Sequence, residues 1–150
     1  MQGVKRVING QDALQPIPWQ VAMYKRKPSQ YFLCGGSIIN EDTILSAAHC
    51  FEEDLNETTV KVFNTSPKDY FISVGLLQHS MPSMKHYEIK NIIVHEHYVR
   101  KHFHNDIAIV KTKTKMIFSR DVNAICLPKV VPIEYHTCFV SGWGSTQGSK

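Results

Sequence analysis

The feature that most constrains this chain is a series of short β-rich runs separated by turn residues, with no segment of helical length whose apolar residues recur every 3.6 positions. The runs are Trp19–Tyr24, Ser37–Ile39, Thr59–Phe63, Phe71–Leu76, Glu88–Val94, Ile107–Lys111 and Cys138–Ser141. Many short strands with turn signals between them point to an all-β fold, an antiparallel barrel or sandwich. Helix is expected to be scarce, with room for one short turn over Ser46–Phe51. The stretch from Asn123 to Pro132 carries Pro128 and Pro132 and reads as an extended connection between two units. Beyond it lies one more strand-like run and then a Gly- and Ser-rich tail. The expectation is therefore a first unit followed by the start of a second.

Composition is that of a globular domain: 150 residues, 43% hydrophobic and 20% charged. No run approaches the roughly 18 consecutive apolar residues that a membrane helix needs. Met1 to Gly10 lacks the apolar core of a secretory leader, so the chain is either cytosolic or missing its start. The cysteines favour the second option. Cys34, Cys50, Cys126 and Cys138 contain no Cys-x-x-Cys pair of the zinc or thioredoxin kind, and disulfides are the better reading. Two sequons, beginning at Asn56 and Asn64, fall in one polar stretch, as expected of a glycosylated surface loop on an extracellular protein.

The net charge of +4 is mild. The alternating lysines of Lys111-Thr112-Lys113-Thr114-Lys115 would share one solvated face of a strand, and they do not mark a nucleic-acid site. A heparin-like glycan is the weaker alternative for this basic surface. His95-x-His97 and His102-x-His104 would each put a pair on one face of an extended segment, a spacing that also suits a metal. Solvated loops rich in histidine explain these pairs as well, and no metal is assigned.

Three segments carry chemistry. In the first, Cys34-Gly35-Gly36-Ser37 precedes Leu45-Ser46-Ala47-Ala48-His49-Cys50. If Cys34 and Cys50 bond, they fix the backbone beside His49, as a general base requires. Taken alone, the same residues read as a structural disulfide next to a surface histidine. The second is His104-Asn105-Asp106-Ile107-Ala108-Ile109-Val110, in which a carboxylate precedes an apolar strand. A part-buried carboxylate needs partners, and an imidazole N–H is a suitable one. In isolation it reads as an Asp at a turn. The third is Lys5-Arg6-Val7-Ile8-Asn9-Gly10, where cleavage after Arg6 would release the Val7 amine as a new positive charge.

In chain order, with the Arg6-Val7 segment first and Ser141-Gly142-Trp143-Gly144 last, the segments resemble the trypsin and chymotrypsin family of serine proteases from Arg6 to about Thr146. The resemblance implies the chymotrypsin-like two-barrel fold, with the first barrel complete and the second cut short. It divides the chain into a propeptide remnant at 1–6, a first barrel at 7–122, and a linker with the first strand of the second barrel at 123–150. It implies His49 as general base and Asp106 as the residue that orients it. It also implies a Cys34–Cys50 disulfide, an activation site at Arg6 and Val7, and no cofactor. Cys138 corresponds to the family cysteine that bonds within the second barrel. Cys126 corresponds to the one that often tethers a propeptide or light chain. On this reading the disulfide partners of both lie outside these 150 residues. Protein or peptide substrates and an activating protease are the implied partners.

No Gly-Asp-Ser-Gly-Gly occurs in the 150 residues. A histidine–aspartate pair without its nucleophile should not hydrolyse peptides at a useful rate. Two functional readings result: part of a secreted trypsin-like endopeptidase, or a non-catalytic binding protein on a protease-like scaffold.

Overall fold

The computed structural model describes residues 11–26, 30–54, 61–78, 85–130 and 137–144. Among the described residues there are eight strands: β1 Gln20–Lys25, β2 Tyr31–Asn40, β3 Thr43–Ser46, β4 Glu52–Asp54, β5 Lys61–Phe63, β6 Tyr70–Val74, β7 His86–Val94 and β8 Ala108–Thr112. Six of them close an antiparallel barrel in the order β1-β2-β3-β8-β7-β6, and β6 pairs back onto β1. The short β4 and β5 form a separate two-stranded sheet. The helical content among the described residues is three single 3-10 turns, at Ala48–Phe51, Pro67–Asp69 and Arg100–His102.

Alternation builds the core. Val21 and Met23 of β1, Tyr70, Ile72 and Val74 of β6, and Ala108 and Val110 of β8 lie on the inner face and join one buried cluster with Ile38, Ile44 and Phe51. In β7 the alternation breaks. Ile89 pairs with Thr112 but Asn91 pairs with Lys111, so Lys90 is an extra residue. That bulge lets both Ile89 and Ile92 reach the core, which strict period-2 alternation would forbid. Matching irregularities fall at Met23/Tyr24 against β2 and at Ile38/Asn40 against β3, and such bulges bend strands into a closed barrel.

A second, smaller apolar cluster lies on the opposite face of β1 and β6. Ala22, Tyr24, Phe71 and Leu76 are buried there, with Phe32 and Trp143 packed against them. Tyr24 stacks on Phe71 with centroids 5.0 Å apart. Trp143 meets Phe32 edge-on and donates from Nε1 to Leu77 O at 3.1 Å.

Five expected strands match β1 and β5 to β8, with ends that coincide or shift by one or two residues; within Thr59–Phe63 only 61–63 are described. Three expectations need correction. The run expected at Ser37–Ile39 is the far end of a ten-residue strand that includes Cys34-Gly35-Gly36. The run expected at Cys138–Ser141 does not belong to a strand among the described residues, and Phe139 and Val140 are 99% and 79% exposed. The lysine series does not lie on one strand, since β8 stops at Thr112. Instead Lys111 pairs with Asp42 and Lys115 with Glu41.

Candidate active site

The β3–β8 ladder runs from Thr43↔Lys111 to Ser46↔Ala108. The residues just past the end of β3 and just before β8 therefore emerge at the same rim of the barrel. Ala48–Phe51 turns there as a 3-10 helix and carries His49, while Asp106 sits two residues before β8. Asp106 Oδ2 is 2.7 Å from His49 Nδ1, and its Oδ1 accepts the His49 backbone N–H at 2.9 Å. One carboxylate thus holds both the ring and the main chain of one residue across 57 positions of sequence.

The Asp106 side chain is 19% exposed and the His49 ring 47%. Burial opposes ionisation of Asp106. The His49 backbone N–H, the His49 ring and the Ala48 backbone N–H outweigh it, and the carboxyl stays below its ordinary range. An ionised Asp106 beside Nδ1 favours the imidazole tautomer with its proton on Nδ1 and its lone pair on Nε2.

Further supports surround the pair. Cys34 and Cys50 form a disulfide that ties the 3-10 turn to the middle of β2. Gly36 lies opposite β3, where an added Cβ would stand 2.8 Å from Ile44 Cγ2 and 3.0 Å from Leu45 O, so the glycine permits the close β2–β3 approach behind the turn. Ser46 Oγ donates to Gly35 O at 2.9 Å across the same gap. On the Asp106 side, Phe103 and Asn105 adopt left-handed backbone conformations, with φ of 51° and 56°. Asn105 Nδ2 donates to His97 O at 2.8 Å and braces the loop that leads into Asp106.

Phe103 and Tyr98 were not singled out in the sequence. The Phe103 ring meets His49 edge-on at 6.1 Å and covers one side of the imidazole, although the side chain is otherwise exposed. Tyr98 packs edge-on against Phe63. Burial and the carboxylates of Glu52 and Asp106 raise its hydroxyl above the ordinary phenol range. Neither residue has a sequence signal, since both sit in a polar, histidine-rich stretch that reads as solvated loop.

Of the other expected positions, Cys126 is an exposed thiol and Cys138 is exposed on the 137–144 segment. Arg6, Val7 and Asn56 lie outside the described residues. Asn64 is half-buried and follows β5. The rings of His95 and His97 lie tilted at 55° with centroids 5.9 Å apart, and those of His102 and His104 tilted at 38° and 5.5 Å apart. Neither pair belongs to a set of three or more metal-ligating groups; among the described residues such a set occurs at Cys34, His49 and Cys50, where both sulfurs are in the disulfide. No helix among the described residues is long and apolar enough to cross a membrane.

A six-stranded antiparallel barrel that closes on itself, with almost no helix among the described residues and a disulfide-braced histidine joined to an aspartate at the rim, has the architecture of the first barrel of the chymotrypsin-like fold. Comparison with known proteins agrees. The family model described as Trypsin matches residues 7–150. The chain is 34% identical to U21-ctenitoxin-Pn1a of Phoneutria nigriventer over 87% of its own length and 52% of that protein. It is 32% identical to Serine protease grass of Drosophila melanogaster, covering 97% of this chain and 41% of the relative. It is 31% identical to Coagulation factor XI of Bos taurus, covering 93% and 21%. This chain belongs to the trypsin family, and it spans about half the length, or less, of these relatives.

Proposed function

We propose that the chain is the His- and Asp-bearing part of a secreted trypsin-like serine endopeptidase, and that these 150 residues alone do not hydrolyse peptides. The observation that carries the proposal is the Asp106–His49 arrangement, in which one carboxylate engages Nδ1 at 2.7 Å and leaves Nε2 to act. In this reading His49 Nε2 takes the proton from a serine hydroxyl and returns it to the leaving amine. Asp106 holds the tautomer and stabilises the imidazolium that forms. Residues 7–122 supply the first barrel, and 123–150 lead into a second that carries the nucleophile and the amides facing the oxyanion. Cleavage after Arg6 frees Val7 to activate the enzyme.

Extracellular placement is supported by the disulfide and by membership of a family that includes a coagulation factor and a venom toxin. The glycan-binding alternative draws less support, because Lys111 and Lys115 are engaged by Asp42 and Glu41.

The test is hydrolysis of a panel of fluorogenic peptide amides by this chain and by the translated full-length transcript after cleavage at Arg6. Turnover by the full-length protein that His49→Ala abolishes, with none by the 150-residue chain, is expected. A full-length transcript lacking a Gly-Asp-Ser-Gly-Gly equivalent, or turnover indifferent to His49→Ala, overturns the assignment.

A further inference from the structure

Asn64 opens the sequon Asn64-Thr65-Ser66, yet every polar group it has is already engaged. Its side-chain nitrogen donates to Glu53 Oε1 at 2.8 Å and to Asp69 Oδ2 at 3.0 Å. Its Oδ1 accepts the Ser66 backbone N–H at 3.0 Å. Its backbone N–H donates to Phe51 O at 2.8 Å, and its carbonyl accepts the hydroxyl of buried Tyr70 at 3.0 Å. A primary amide has two N–H hydrogens, and here each points at a different carboxylate.

Glu53 and Asp69 repel one another, and the cluster holds together because Lys25 and Asn64 supply donors between them. Burial disfavours ionised Glu53, while the Lys25 and Asn64 hydrogen bonds hold it below its ordinary range. Asn64 therefore joins the β4–β5 sheet to the Pro67–Asp69 turn that leads into β6. N-glycosylation replaces one Nδ2–H with a bond to the sugar C1, and the displaced proton and the lipid diphosphate depart. The modified nitrogen keeps one hydrogen, so one carboxylate loses its donor while a sugar occupies the space between the two.

We infer that Asn64 is a structural amide that clamps Glu53 to Asp69, and that its sequon carries no glycan in the folded protein. The two roles are separable by mutation, because Ser66→Ala destroys the sequon and keeps the amide, whereas Asn64→Gln destroys both. The full chain, secreted from a eukaryotic host, is digested and the occupancy of the Asn64 peptide read by mass spectrometry. The same variants are refolded from a bacterial host, which adds no glycan, and melted. Expected results are an unmodified Asn64 in the secreted protein, wild-type melting for Ser66→Ala, and a clearly lowered melting temperature for Asn64→Gln. A glycan on Asn64 in secreted, cooperatively melting protein overturns the inference, as does equal melting of Asn64→Gln and Ser66→Ala in unglycosylated protein.

Discussion

Asp106 grips His49 twice, through the ring nitrogen and through the backbone N–H, so that the carboxylate fixes both the orientation of the imidazole and the position of the turn that carries it. The two grips separate under mutation. Asp106→Asn retains an oxygen for the backbone N–H but presents an amide N–H to Nδ1, which selects the opposite tautomer. Nitrogen NMR of His49 in this chain is expected to show the proton moved from Nδ1 to Nε2, with a melting temperature lowered at neutral pH by loss of the charged carboxylate. In the full-length endopeptidase proposed above, the same change should lower kcat by about 10⁴-fold, the loss known for the equivalent change in the serine-protease triad.

Acid should weaken the barrel through this same carboxylate. The ordinary value for the group is 3.8, and Asp106 lies below it in the folded chain. The stabilisation is therefore fully present above about pH 4 and is lost as pH falls through the depressed folded-state value. Wild-type melting temperature is expected to decline below about pH 4, and Asp106→Asn should flatten part of that decline. Parallel curves for the two proteins would show that other carboxylates, such as Glu53, account for it.

Removing the Cys34–Cys50 bridge, which joins residues 16 apart, should cost about 3 kcal/mol in chain entropy. A Cys34→Ala/Cys50→Ala double variant is expected to unfold at lower urea concentration by that amount. His49 should also lose its fixed ring environment, seen as averaged NMR signals at temperatures where the barrel persists.

Gly36→Ala should destabilise the barrel by about 1–3 kcal/mol, because the new methyl meets the Ile44 side chain and the Leu45 carbonyl at less than ordinary contact distance. Gly35→Ala should be milder. Its methyl would meet the end of the Gln20 side chain at 3.2 Å, and that amide can move aside. Equal losses for the two variants in a denaturant titration would contradict this account.

The strands β1, β6 and β8 were legible because apolar patterning is local: β8 alternates, while β1 and β6 are short continuous apolar runs buried on both faces. The first half of β2 was not: Cys34-Gly35-Gly36 lacks the side chains that mark a strand, and the reason for the glycines is the approach of β3, a tertiary fact. β3 and β4 were too short to register, and β7 hides its inner face behind the Lys90 bulge. His49 and Asp106 stood out by their neighbours in sequence, and the family resemblance implied that the one orients the other; the residues alone gave only a carboxylate in need of a partner. Phe103 and the second grip on the His49 backbone N–H belong to the rim geometry alone, and the duty of Asn64 was masked by a sequon that suggested a different one.

The Ser46↔Ala108 pairing is the last rung of the ladder that joins β3 to β8. The contact between His49 and Asp106 thus depends on that rung. A chain in which β3 and β8 have parted contains the same two residues but not the hydrogen bonds between them.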